Sequence, residues 1–510
     1  MAEVETGGGI RLTEVAVAEG VRIRVRSPRM RVRWTTLEAA PGLEAMAPSQ
    51  EKGGWNEAID ENELVELPAA LQPEVLEPLE SFDAEAIPTI AVRDSEDQFV
   101  DLRAQPLPGE SLLVMVETDG VFQWFAPRNA PSVTEAFGLE GVEAPSAELQ
   151  FQIPRSTLQR PLGLEGPEGV GGSIVRFFRT KLIPQLIGAP VRRLLEWLVD
   201  KVEKRAKPRE GFRFFDRSAN YPFAKPHELA ALSGQRVLLL THGIFTSLEG
   251  AFHGISDPKG AVLQHLRSVY GENIIGWDHW TVGKTPLENA EELLNALPAG
   301  IRPDILSHSR GALVTRAMLE HPSLVAKRTS RFNHVGKAIF VAGANQGSPL
   351  ATLHNLNRLL NVYSAIASFP LLGGAGIALK VIVGVLRLLA HGATMLPSVE
   401  ALSSDLSRNQ FLRELNASQL TPTGELVAVH ANYDPARGPL ARFLDLNVDL
   451  VFGEGNDMVV PFTGAKTFDT WQQVGTNIQY GTPTERQAVV MHTNFFVQPG
   501  VHDLIQEELS

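Results

Sequence analysis

The segment Ile305-Leu306-Ser307-His308-Ser309-Arg310-Gly311-Ala312 constrains the fold more than any other part of the chain. An apolar run enters a small-X-Ser-X-Gly turn, and helical spacing follows from Gly311 to Leu319. A strand-turn-helix of this kind holds its serine in a strained backbone conformation. The two backbones then approach closely, so small residues are needed two places before and two places after the serine. The hydroxyl stands above the sheet at a helix N-terminus, where free N–H groups and the helix dipole favour a developing negative charge. Ser307 occupies the place where glycine is usual and is small enough to fit. Ser309 is therefore the candidate nucleophile.

The sequence around this turn alternates between strand and helix. Apolar runs at Arg236–Thr241, Asn273–Trp277, Lys337–Ala342 and Glu425–Ala431 read as strands, and Gly260–Tyr270 has helical spacing. Thr285-Pro286-Leu287-Glu288 is a helix start, with threonine as N-cap, proline in the first turn and glutamate three residues on. Such alternation predicts an α/β class, a mostly parallel sheet with helices on both faces. Leu240-Thr241-His242-Gly243-Ile244 ends the first of these strands. Acyl transfer builds charge on a carbonyl oxygen, which two preorganised backbone N–H groups can stabilise. The N–H groups of Ile244 and Arg310 are the natural pair. Gly243 allows the tight loop, Gly311 the close helix, and His242 reads as a loop-bonding residue rather than a proton carrier.

Thr-His-Gly-Ile at 241–244, followed by Ser-His-Ser-Arg-Gly at 307–311, resembles the lipase-type α/β-hydrolases of bacteria and, more loosely, GPI-inositol deacylases. The resemblance covers about residues 230–510. It implies an α/β-hydrolase fold, esterase or lipase activity and no cofactor, and it implies nothing about residues 1–170.

In such folds the acid and then the histidine follow the serine along the chain. Val451-Phe452-Gly453-Glu454-Gly455-Asn456-Asp457-Met458-Val459-Val460-Pro461 is similar to the lipase acid loop and nominates Asp457, with Glu454, Asp449 and Asp434 as competitors. Two histidines come later. His492 follows the strand-like run Ala488–Met491, whereas His502 opens the terminal helix. His492 is the preferred base. The expected catalytic set is Ser309, Asp457 and His492, acting through an acyl-enzyme. Residues 348–400 interrupt the alternation with an apolar, glycine-rich stretch. They read either as a helical cap over a hydrophobic acyl substrate or as a pair of packing helices. Asn345-Gln346-Gly347-Ser348-Pro349 resembles the lipase segment leading into such a cap.

The first half reads differently. Residues 1–40 alternate as strands, with Arg22, Arg24 and Arg26 and then Arg29, Arg31 and Arg33 along one face, either an anion-binding strip or a solvated face. Residues 41–87 form an acidic, Pro-rich linker. Residues 88–165 form a small β-rich domain in which Thr118-Asp119-Gly120 marks a hairpin. Residues 166–210 read as a basic amphipathic helical connector, and 211–510 as the α/β-hydrolase domain.

A net charge of −13 argues against nucleic acid as a partner, and the lack of cysteine excludes disulfides and a thiol nucleophile. No metal-ligand spacing is visible. The apolar stretch Phe369–Leu396 is interrupted by Lys380, Arg387 and His391, which argues against a spanning helix. The expected setting is cytoplasmic, with 172–207 and 369–396 as candidate peripheral membrane contacts and a hydrophobic ester or lipid as substrate. Acyl transfer by the same residues, and a catalytically silent scaffold serving the N-terminal part, are the competing readings.

Overall fold

The computed structural model describes residues 203–204, 207, 209–215, 221–257, 260–332, 334–352, 355–367, 385, 396–418, 424–434, 451–467, 474–482, 484–485, 487–488 and 490–510 of the second half. In the first half it describes residues 3–7, 13–18, 21–26, 30–37, 77–88, 99–107, 110–118, 121–129, 148–154, 158 and 173–181. The chain divides into two compact units, Met1–Leu195 with Val383–Thr394, and Glu196–Ile382 with Met395–Ser510.

The first unit is built from antiparallel strands. These are β1 (Glu3–Gly7), β2 (Thr13–Ala18), β3 (Val21–Arg26), β4 (Met30–Leu37), β5 (Glu77–Pro88), β6 (Phe99–Ala104), β7 (Glu110–Thr118), β8 (Val121–Phe125), β9 (Leu149–Pro154) and β10 (Ser173–Lys181). One sheet runs β1-β4-β5-β10-β7-β8 and the other β2-β3-β6-β9. Phe82, Leu112, Val114, Val175 and Phe177 from the first share a core cluster with Val100, Leu102, Phe151 and Ile153 from the second. Thr118 pairs with Val121, so β7 and β8 form the hairpin that Asp119-Gly120 signals.

Two sequence expectations need correction here. Ser173–Lys181, placed in a basic helical connector, is a strand lying between β5 and β7. Pairing on both sides overrides the helical spacing, and Val175 and Phe177 suit a buried pleat. The amphipathic-helix route to a membrane surface therefore fails over those residues. The second correction concerns the acidic linker, which ends at residue 76, because Glu77–Pro88 is a strand. β4 pairs with β5 and β3 with β6, so the N-terminal strands and the 88–165 region belong to the same two sheets. The arginine side chains of the N-terminal strands, and residues 41–76, lie outside the described residues.

The second unit carries the α/β-hydrolase fold. Its strands are β11 (Gly211–Phe214), β12 (Arg236–Thr241), β13 (Ile274–Asp278), β14 (Arg302–His308), β15 (Ala338–Val341), β16 (Leu426–Ala431), β17 (Tyr433–Asp434), β18 (Val474–Tyr480) and β19 (Gln487–Ala488). Seven of them form one sheet in the order β11-β13-β12-β14-β15-β16-β18. Only the edge pair β11–β13 is antiparallel. The helices that matter for the site are α1 (Ala261–Tyr270), α2 (Pro286–Ala296), α3 (Gly311–Glu320), α4 (Leu356–Ala367) and α5 (Pro499–Glu508).

Burial on both faces explains why these strands read as continuous apolar runs. Val237 and Leu239 of β12 pack with Leu293 of α2 and Val314 and Met318 of α3. Their neighbours Leu238 and Leu240 pack the other way, with Leu263 and Leu266 of α1 and Leu504 and Ile505 of α5. At the start of α2, Thr285 accepts from the Glu288 N–H while the Glu288 carboxylate accepts from the Thr285 N–H, as the sequence predicted. Within the apolar stretch after the cap turn, residues 368–384 and 386–395 lie outside the described residues, and the lid reading falls largely on them.

The tightest approach in this sheet is at Gly311. A Cβ there would sit 2.3 Å from the Thr241 carbonyl oxygen and 2.9 Å from that of His242, both backbone atoms that cannot yield cheaply. Gly311→Ala is expected to cost roughly 1–3 kcal/mol or more through overpacking. Denaturant titration checks this; an unchanged midpoint would mean that α3 shifts freely away from β12.

Candidate active site

The site lies where the parallel strands end. β14 delivers His308 and Ser309, and Ser309 takes a positive φ of 57°, the strained turn that the sequence demanded. α3 begins immediately afterwards. Ser307 proves more than a small filler. Its Oγ lies 2.9 Å from Thr241 Oγ1 and 2.8 Å from Thr315 Oγ1, and the two threonine hydroxyls are 3.1 Å apart. The three hydroxyls satisfy one another where β12, β14 and α3 meet, so serine at this position adds a polar bond that glycine lacks.

Ser309, Asp457 and His492 come together although the chain separates them widely. His492 Nε2 is 2.7 Å from Ser309 Oγ, and His492 Nδ1 is 2.8 Å from Asp457 Oδ2. All three side chains are buried. The acid loop is shaped by its own polar groups. Asp457 Oδ1 accepts from the N–H groups of Val459 at 3.0 Å and Val460 at 2.7 Å, and Asn456 Oδ1 accepts from that of Met458. The Asp457 carbonyl accepts from the His492 N–H at 2.9 Å, which locks the two loops together. Among the competitors, Glu454 accepts from the Thr463 hydroxyl and Asp434 belongs to β17. Asp449 lies outside the described residues. His502 donates to the Phe496 carbonyl at 2.6 Å, a local helix-end contact.

The backbone N–H groups of Ile244 and Arg310 donate to no described residue, and both residues are buried. They are spare donors beside Ser309, as a candidate oxyanion site requires. Gly243 is needed at the same place, since a Cβ there would lie 2.7 Å from Ser309 Cβ.

A layer of buried polar groups lies behind these donors. His242 Nδ1–H donates to the Gly243 carbonyl at 2.9 Å, and its Nε2 accepts from Lys207 Nζ and the His279 N–H, each at 3.2 Å. His242 thus bonds the loop that follows β12. Lys207 Nζ also pairs with Asp278 at 2.8 Å and donates to the carbonyls of His279 and Thr246. Arg213 holds the other Asp278 oxygen at 2.9 Å. Burial opposes ionisation of Asp278, but the charges of Lys207 and Arg213 outweigh it and hold the carboxyl well below its usual range. Glu203 accepts from the backbone N–H groups of Thr281, Val282 and Gly283. The Arg310 guanidinium is buried on neutral partners, donating to the Lys284 carbonyl at 2.5 Å and Asn289 Oδ1 at 2.8 Å, with His279 Nε2 at 3.3 Å. Burial lowers its pKa to about 10.

Sequence reasoning passed over several of these residues. Lys207 sits in a basic run that reads as a solvated face, and Glu203 has no motif. Asp278-His279 had a usable signal, because it ends β13 at the edge where ligands gather in parallel sheets. His308, inside the nucleophile turn, donates from Nε2 to the His492 carbonyl at 2.9 Å and steadies that loop. Among the described residues no cluster of three His, Asp or Glu side chains is placed to hold a metal.

Two expectations follow from this layer. Lys207→Met strands Asp278 in the interior with only Arg213 and a neutral imidazole, and should destabilise the protein by about 3–5 kcal/mol. Urea unfolding measures it; a loss below about 1 kcal/mol would show the pair to be dispensable. The second concerns pH. Burial, the largest cause in each case, lowers His242 to about 4, His308 to about 3 and His430 to about 4. Unfolded imidazoles take up protons near pH 6.5, while these folded ones resist until about pH 3–4. Stability is therefore full above about pH 6.5 and drains away as pH falls towards about 4. Thermal unfolding across that window should show Tm declining steadily, and a flat Tm would contradict the neutral assignment.

No curated protein matches the sequence. Among solved structures, the chain is similar to phospholipase PlaB from Legionella pneumophila, with 15% identity, 45% of each chain covered and a TM-score of 0.29. It is similar to lipase 1 from Pelosinus fermentans at 12% identity, covering 53% of this chain and 98% of that one, with a TM-score of 0.34. A metagenomic carboxyl esterase matches at 20% identity over 52% and 72% of the two chains, with a TM-score of 0.26. The chain spans less than half the length of the phospholipase it matches. The family described as "Domain of unknown function (DUF7379)" matches residues 207–510, more than half of the chain, and the chain belongs to that family.

Proposed function

We propose that this protein is a serine hydrolase that cleaves carboxylic esters, with lipid or other hydrophobic acyl esters as substrates. The observation that carries the proposal is the unbroken hydrogen-bonded row Asp457–His492–Ser309, at 2.8 and 2.7 Å, ending on a serine held at positive φ. Ser309 Oγ attacks the acyl carbon while His492 Nε2 takes its proton. Asp457 fixes the imidazole with Nδ1–H towards the carboxylate and stabilises its charged form. The N–H groups of Ile244 and Arg310 receive the carbonyl oxygen as it gains charge. Collapse of the tetrahedral species breaks the bond to the alcohol oxygen, which leaves with the proton from His492. Water, deprotonated by the same imidazole, then releases the acid from the acyl-enzyme.

The hydrophobic substrate class rests on the apolar, glycine-rich stretch 348–400, read as a cap. Within it, 369–396 remains the candidate for membrane contact. Among the described residues no helix is long and apolar enough to cross a membrane.

A fluorophosphonate probe tests the proposal. The wild-type protein is expected to label, and Ser309→Ala to lose both labelling and ester hydrolysis by at least ~10³-fold. A folded wild type that neither labels nor cleaves any ester would leave the fold as a scaffold. Within a chain-length series of acyl esters, medium and long chains should be preferred; preference for acetyl would remove the lipid assignment.

A further inference from the structure

Tyr363 belongs to α4, the helix that follows the cap turn, and no motif singled it out. Its ring meets the His492 ring edge-on, with centroids 6.2 Å apart at 87°, and the Phe245 ring at 5.1 Å and 75°. These two contacts fix the phenol over the imidazole. The side chain is buried, with Tyr363 7% exposed, so its hydroxyl has no bulk water to bond. That hydroxyl makes no full hydrogen bond to any described residue, yet it lies beside the Ser309 hydroxyl. A buried phenol normally finds a partner, and leaving one unsatisfied costs free energy. Burial, above all, and the Asp457 charge hold it protonated, against the opposing effect of its contact with Ser309. It is therefore a protonated donor with no full hydrogen bond of its own, beside the nucleophile and in ring contact with the imidazole.

We propose that the Tyr363 O–H is a catalytic hydrogen-bond donor to the alcohol-side oxygen of the ester, the oxygen that departs when the acyl-enzyme forms. This rests on the hydrolase reading above. The carbonyl oxygen has its own proposed donors in the N–H groups of Ile244 and Arg310. The departing oxygen must lie near His492 Nε2 to receive its proton, which is where the phenol stands. As the carbon–oxygen bond lengthens, charge gathers on that oxygen and the hydrogen bond from Tyr363 strengthens. The proton that finally leaves with the alcohol is the one His492 took from Ser309, and Tyr363 keeps its own. In the second half-reaction the attacking water occupies the same place and accepts the same bond.

Such a donor matters most when the departing alkoxide is poor. Tyr363→Phe removes the hydroxyl and keeps the ring contacts. The experiment compares kcat/KM of wild type and Tyr363→Phe on esters of one acyl chain with alcohols of rising acidity, from an alkyl alcohol to nitrophenol. The loss is expected to reach roughly tenfold to a hundredfold on the alkyl ester, the size of one hydrogen bond to a developing charge, and to shrink as the alcohol becomes more acidic. An equal loss across the series, or no loss on the alkyl ester, overturns the proposal. The rate of fluorophosphonate labelling reports whether Ser309 and His492 remain assembled in the variant. Failure of the underlying reading looks different, since the wild type would then neither label nor cleave any ester, or hydrolysis would persist in Ser309→Ala.

Discussion

The second unit is organised around one crowded junction, where the end of β12, the end of β14 and the start of α3 press backbone against backbone. Gly311 lies under the carbonyls of Thr241 and His242 with no room for a side chain. That crowding drives Ser309 into its left-handed conformation, so the hydroxyl projects from the sheet rather than into it. Among the described residues, the N–H of Arg310, the residue before α3, and that of Ile244 in the loop after β12 are claimed by no other backbone group. The hydroxyl cluster of Thr241, Ser307 and Thr315 closes the junction from below. The close approach thus comes without orphaned polar groups beneath it.

Around the junction the protein accepts an unusual density of buried polar side chains. His242, His279, His308, Arg310, Lys207 and Asp278 are all withdrawn from water. Burial of this kind is tolerable only when hydrogen bonds are assigned nearly one to one. The imidazoles serve as neutral connectors, each donating from one nitrogen to a carbonyl and, in His242 and His279, accepting a donor at the other. Among these six residues, the full charge pair is Lys207 with Asp278, which Arg213 shares. This arrangement gives the loop carrying Gly243 and Ile244 a stiff backing, as the oxyanion role proposed for Ile244 would require.

Much of this was legible in the sequence because it is local. A strand running into small-X-Ser-X-Gly, a threonine–glutamate capping pair at 285 and 288, and Asp-Gly between apolar runs each specify their structure within a few residues. Asp457 and His492 were reachable by chain order and loop composition. What escaped was long-range. Ser173–Lys181 carries a helix-compatible pattern and becomes a strand because β5 and β7 flank it. Lys207 looks like one more base in a basic run until Asp278 is set against it from another strand end. Tyr363 is a lone aromatic on an apolar helix face, and only the placement of His492 gives its hydroxyl a meaning.

One further contact bears on how the site can move. Ser348, just ahead of the cap, donates its hydroxyl to the Val459 carbonyl at 2.6 Å, while the Val459 N–H binds the Asp457 carboxylate. The turn that carries Ser348 is thus tethered, through Val459, to the Asp457 carboxylate. A displacement of Ser348 would pull on the same residue whose N–H holds the Asp457 carboxylate, so the turn at 345–349 and the loop at 456–460 are mechanically coupled and either shift together or stay together.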